Sequence, residues 1–229
     1  MQLNNNRSIN KSIKTSDLNA KSAYKCLLEL ESVQPVIEKK LTNVNFNVAW
    51  KAVSNQVLSP WARDISWRLL HNVLPVAAHL YHLHITRNVK CVYCNWPETF
   101  AHCFYSCKYV RSLWCIVENW MSNVTGQTFV VTQDVVLYLQ NAIQNTEHLK
   151  LFLIVCAELK YAIWTQRNRR KFDGKTPLTV DIERLFLYHV RSRIKADLVR
   201  LDSVSFTNLY CTGTTALASV SGRCLNVNI

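Results

Sequence analysis

The sequence predicts an all-α protein, a mainly helical bundle pinned at one small cysteine- and histidine-bearing knuckle. Three observations predict it. Apolar residues recur at helical spacing along most of the chain. Glycine and proline number only four and five among 229 residues, too few for the many tight turns of a β-rich fold. Residues 91–107 gather thiols and an imidazole as C-x2-C-x7-H-x4-C, a spacing that can close on a single metal ion.

Residues 1–15 are Asn, Ser, Lys and Arg with few apolar anchors and read as a disordered tail. Ser16 or Asp17 caps a helix through about Leu30, with Leu18, Tyr24, Leu27, Leu28 and Leu30 inward. Polar residues around Pro35 make a linker. A second helix starts near Asn45 and turns Phe46, Ala49, Trp50, Val53 and Val57 to one face. Ser59-Pro60 supplies the cap and first turn of a third, with Trp61, Ile65 and Leu69 as its inward stripe. Pro75 opens a short fourth helix to about Leu83, and residues 86–90 lead into the knuckle as a short strand. Beyond Cys107, Val110, Leu113, Trp114, Val117, Trp120 and Met121 follow i, i+3, i+4, i+7 spacing. The two tryptophans on that stripe belong in a core rather than under a nucleobase. An extended stretch at Thr128–Val131 and a short helix at 134–141 precede a long helix from Thr146 to Phe172, which Gly174 stops. A last helix runs from about Pro177 to Leu201. The expected organisation is a helical zinc-binding domain at 16–122, a basic helical region at 123–201, and a weakly ordered tail at 202–229.

Zinc takes four nitrogen or sulfur donors in a tetrahedron, and a shell closed by protein ligands is structural, because catalytic zinc keeps one position open for water. Cys91 and Cys94 supply one pair. The second pair is ambiguous on helical geometry: Cys103 and Cys107, four apart, share a helix face, whereas His102 and Cys107 stand about 140° apart. Cys26, Cys115, Cys156, Cys211 and Cys224 are expected to be ordinary small buried thiols. His79, His82 and His84 lack a converging set of partners and are read as polar-face residues.

The formal net charge of +12 suggests a polyanionic partner, foremost nucleic acid. It is unevenly placed. Residues 151–200 hold eleven bases against five acids, a net +6, and residues 91–150 hold three against four, a net −1. Candidate phosphate contacts are Arg167, Arg169, Arg170 and Lys171 on the long helix and Arg191, Arg193 and Lys195 on the last. Cations at a helix C-terminus also oppose its dipole, which accounts for the first cluster equally well. No Gly-rich phosphate loop, nucleophile elbow or acidic two-metal cluster occurs, so no enzymatic activity is expected. An odd cysteine count and no recognisable signal peptide point to a reducing intracellular compartment, nuclear or cytoplasmic. No apolar run reaches membrane-spanning length.

The flanks of the knuckle carry a resemblance. Cys91-x2-Cys94, Glu98-Thr99, His102-x-Phe104-x2-Cys107 and Arg111-x-Leu113-Trp114 resemble the zinc-binding domain downstream of the reverse transcriptase in LINE-type (non-LTR) retrotransposon proteins. Asp64-x2-Trp67-Arg68-Leu69-Leu70-His71-Asn72-x-Leu74-Pro75 before it, and Leu80, fit the same pattern. Looser similarity extends to Lys21–Tyr24 upstream and to Ile163-Trp164-x2-Arg167-Asn168-x3-Phe172 downstream. The resemblance implies one structural zinc on Cys91, Cys94, His102 and Cys107. It further implies a module that holds RNA or DNA for a reverse transcriptase domain not contained in these residues. The rival expectation is a zinc-stapled structural or protein-interaction bundle, or an inactive retroelement remnant. One departure stands out: the family usually has Gly after its second Cys, where this chain has Asn95, the next most tolerant residue of a left-handed backbone.

Overall fold

In the computed structural model, residues 44–139, 146–174, 179–211, 218–221 and 224–227 are described, all within one compact unit, Asn43–Ile229. The expected N-terminal tail, the 16–30 helix and the Pro35 linker lie outside them. Capping chemistry sets the first two helices. Asn45 accepts the Val48 amide at 3.3 Å and starts α1, Phe46–Val53. Ser59 accepts the Ala62 amide at 3.3 Å and, with Pro60 in the first turn, starts α2, Pro60–Leu70. The short α3, Ala77–His82, follows Pro75. A π-helical turn, His102–Ser106, leads directly into α4, Lys108–Thr125, which ends at Gly126 in the left-handed conformation (φ 68°). Thr132 caps α5, Gln133–Tyr138. Two long helices follow, α6 over Thr146–Phe172 and α7 over Thr179–Arg200, then α8 over Ser203–Tyr210, capped by Asp202. Residues Ala218–Ser221 and Cys224–Val227 pair as a small antiparallel hairpin.

The protein is thus mainly helical, as its periodicities predict, and α6 is its axis. It packs against α2, α4, the π-turn, α7 and α8. Ten consecutive residues, Leu151–Lys160, are buried, which is why this helix shows no single apolar face: a helix surrounded by others is apolar all round. Helices from both sides of the expected boundary at residues 122 and 123 therefore share one core. The segment from 203, expected to be weakly ordered, instead forms α8, with Phe206, Leu209 and Tyr210 buried. Its Ser/Thr-rich composition conceals three apolar residues at i, i+3, i+4 that one helix face collects.

The other differences are local. Trp61, expected on the inward stripe of α2, is 69% exposed, because the buried stripe runs through Ala62, Ile65, Ser66, Leu69 and Leu70. Trp114 is fully buried, and Trp120 stacks on Phe186 with ring centroids 5.5 Å apart, so both serve packing. Residues 86–90 form a single bridge, Lys90 to Pro97, rather than a strand.

Two polar residues of α6 lie in its buried run. Glu158 accepts the Ser59 hydroxyl at 2.7 Å. Lys160 is completely buried, its Nζ has no hydrogen-bond partner among the described residues, and burial pulls its pKa down to about 8. Because the folded state holds this proton less tightly than the unfolded chain, stability should rise with pH between about 8 and the ordinary lysine value of 10.5. Lys160→Met should remove that rise and stabilise the protein near pH 7 by up to about 3 kcal/mol, at about 1.4 kcal/mol per tenfold change in protonation. Denaturant titrations of both proteins across this pH range check the expectation; parallel curves would mean that Lys160 reaches solvent.

Candidate metal centre

Two turns build the centre. In the first, Cys91-Val92-Tyr93-Cys94 curls so that the Asn95 amide reaches the Cys91 carbonyl at 3.3 Å, and Asn95 adopts φ 63°. This is the left-handed position that the sequence marks, and asparagine tolerates it at modest cost. In the second, the π-turn hydrogen-bonds the Cys107 amide to the His102 carbonyl at 3.0 Å. An i to i+5 bond returns the fifth residue to the start of the turn, so His102 and Cys107 come together.

One ligand atom from each of Cys91, Cys94, His102 and Cys107 lies within 4.8 Å of the other three. Cys94 Sγ is 3.1 Å from His102 Nε2 and 3.8 Å from Cys107 Sγ. The edge of a tetrahedron with Zn–S bonds of about 2.3 Å is about 3.8 Å, so the spacing fits zinc. The donor set closes the shell with protein ligands. Cys103 is excluded: it is buried apart from the cluster, beside Glu98 and Arg167, and burial pushes its thiol well up. The α-helical geometry that left it as an alternative does not apply to a π-turn. In the cluster, the hydrogen bond from Cys107 outweighs burial and pulls Cys91 down to about 5, while the same bond pushes Cys107 up. A metal binds the thiolate form of each cysteine, so its binding releases protons from the cluster. Cys115, expected buried, is exposed, whereas Cys156 is buried as expected.

The centre is tied to the core by polar contacts that charge counting did not reveal. Glu98, three residues beyond Asn95, is 1% exposed and meets the equally buried Arg167 of α6 in a two-point ion pair: Nε to Oε1 at 3.0 Å and Nη2 to Oε2 at 2.5 Å. Arg167 Nη2 also donates to the Pro75 carbonyl at 3.1 Å, and Glu98 Oε2 accepts the Ala77 amide at 2.8 Å. One turn on, Arg170 Nε donates to the Val92 carbonyl at 2.6 Å, its guanidinium 5.3 Å from the Tyr93 ring. From the other side, Trp114 Nε1 donates to the Phe104 carbonyl at 2.7 Å, satisfying an acceptor within the π-turn. Glu98 and Arg167 both stand in the motifs that carry the family resemblance, and that co-occurrence was the signal available for their pairing.

The candidate phosphate contacts divide accordingly. Arg167 is withdrawn from the surface by Glu98, a correction to its expected role. Arg193 is withdrawn too: its side chain is 12% exposed and bonds Asp197 at 2.7 Å. Arg169, Arg191 and Lys195 are exposed, and Arg170 and Lys171 are half-buried beside the knuckle. Among the described residues the four knuckle residues are the group able to hold a metal; His79, His82 and His84 assemble no second one, and His79 packs on Phe100. No helix among the described residues is long and apolar enough to cross a membrane.

A helical bundle with a closed Cys3His shell on a knuckle defines a structural-zinc domain. Residues 18–114 match the family described as zinc-binding in reverse transcriptase, and this stretch is a zinc-binding domain of that family. No curated protein and no solved structure matches the chain.

Two outcomes follow. Purified protein should contain one zinc per chain by elemental analysis; His102→Ala should lose it and Cys103→Ala should retain it, and the reverse pattern would move the site to four thiolates. Arg167→Met should destabilise the fold by roughly 3 to 5 kcal/mol, because it strands a buried carboxylate. Adding Glu98→Gln should recover about half of that in chemical denaturation, and a double variant no more stable than the single would show that the pair is not coupled.

Proposed function

We propose that this chain is a nucleic-acid-binding module of the LINE type, with Cys91, Cys94, His102 and Cys107 as ligands of its structural zinc, and that it holds RNA or DNA for a reverse transcriptase domain carried elsewhere. The zinc shapes the knuckle and does no chemistry. One observation carries the reading. Between the knuckle and the end of α6 lies a cleft of about 430 Å³ lined by Thr86, Asn88, Lys90, Val92, Arg170 and Lys171. Three cations line it and no carboxylate does. Burial, and then the neighbouring Arg167, lowers the pKa of Lys171, a cost that a phosphate seated in the cleft relieves. Arg170, held on the Val92 carbonyl, is fixed in place before any ligand arrives. The set overlaps the expected cluster in Arg170 and Lys171 and adds Lys90, which lies outside both stretches whose charge was counted.

Contacts of this kind position a backbone without reading its sequence, so RNA and DNA of any sequence are expected partners. The cysteines among the described residues are unpaired thiols, which supports an intracellular, reducing setting. The test is a salt titration of a labelled single-stranded oligonucleotide with wild type and with Lys90→Gln/Lys171→Gln. At about 0.7 to 0.9 per lost phosphate contact, the slope of log affinity against log salt should flatten by roughly 1.5. An unchanged slope clears this cleft, and no binding by wild type at low salt leaves a structural or protein-interaction module.

A further inference from the structure

A solvent-open groove lies away from the zinc, between α1 and α2. It holds about 660 Å³ and is lined by Trp50, Lys51, Arg63, Asp64 and Trp67, among others. We propose that it is a base-stacking subsite for single-stranded nucleic acid, an inference that rests on the function proposed above and gives it a second point of contact.

Three features select that occupant. The first is the ring system. Trp67 is 47% exposed although it is one of the largest apolar side chains in the protein. It packs against His71 with centroids 4.2 Å apart, and His71 packs in turn against Trp50 at 4.8 Å. The indole is therefore held rigid from behind while nearly half of it meets solvent. A flat π-face accepts any base, so stacking there tolerates every sequence. The second is the charge at the rim. Lys51 is exposed, and Asp64 is already engaged by Arg68 at 3.0 Å, so the uncommitted charge beside the rings is positive. The third is a fixed cation in the wall. Arg63 also lines the groove, and its Nη2 donates to the Leu58 carbonyl at 3.2 Å, so its guanidinium is held in place before a polyanion arrives. A partner protein helix would want a row of aliphatic side chains turn after turn. On α2 those residues, Ile65, Leu69 and Leu70, face the core instead.

The test separates bases from phosphates. A labelled single-stranded dodecamer and one of equal length with several internal abasic sites are titrated onto zinc-loaded full-length protein. Trp67→Ala should bind the base-bearing strand about tenfold more weakly, in keeping with the loss of one stacked base. Its affinity for the abasic strand and its salt slope should match wild type, and Trp67→Phe should stay within about threefold of wild type. Equal loss on both strands, or no loss on either, overturns the subsite while leaving the phosphate cleft standing. Wild type that binds neither strand at low salt overturns both. A measurement without any variant decides the matter should Trp67→Ala lose its zinc: irradiation of a complex with a 5-iodouracil strand should crosslink the tryptic peptide Asp64–Arg68, and crosslinks confined to other peptides overturn the subsite.

Discussion

The arrangement of this protein depends on the buried ion pair between Glu98 and Arg167. The two residues lie 69 positions apart, and each side chain is 1% exposed. Taking two charges out of water costs several kcal/mol per ion, and a buried pair recovers that only when geometry is good and remaining donors and acceptors are met. Here the fork of the guanidinium meets both carboxylate oxygens, the Pro75 carbonyl takes a further donor, and the Ala77 amide takes a further lone pair. The pair consequently links three segments: the loop before α3, the knuckle, and the far end of α6. Hydrophobic contact alone would let these slide; a two-point bond between planar groups fixes direction as well as distance.

Zinc and the ion pair do different work on the same segment. Around the knuckle the chain exposes Leu83, Ile85 and Trp96 and buries few large side chains, so it has little hydrophobic core of its own. A closed metal shell supplies the folding free energy that such a short segment lacks. The shell holds the knuckle's shape but does not attach it to anything. Glu98 and Arg170 attach it to α6, and the Trp114 indole attaches the π-turn to α4. Removing metal is therefore expected to loosen a local loop first, and the bundle through these contacts afterwards.

What was legible in the sequence follows from what is local. The helix start at Asn45, the cap at Ser59, the Gly174 stop and the periodic stripes report the chain's own backbone, and the helices built on them appear where expected. The ligand set was legible only through resemblance, because the spacing was read on an α-helix and the chain uses a π-turn. Position relative to other segments was not legible. Arg167 sits in a run of five residues with three other cations, and nothing in that run says that one of them turns inward. Trp61 fails for a related reason: aromatic residues carry more apolar area than any neighbour, yet the buried stripe of α2, the helix that packs against α6, includes the small residues Ala62 and Ser66.

That inward turn also changes what the net charge of +12 means. The acids of the described region are largely committed to internal duties: Glu98 to Arg167, Asp197 to Arg193 and Arg200, Glu118 to Arg111 and the Val131 amide, Glu158 to Ser59, and Asp202 to the α8 cap. The cations they consume are structural and unavailable to a ligand. Such commitments remove charge from both signs, but the acids are fewer, so the surface left over is more one-sided than the composition suggests. The cleft beside the knuckle is where that remainder is concentrated against a rigid wall, since Arg170 is pinned to backbone and Lys171 is partly desolvated. Charges held in place ahead of binding lose less entropy when a polyanion arrives. For this chain the informative observation is therefore not the net charge but a cleft beside the knuckle that Lys90, Arg170 and Lys171 line without a carboxylate.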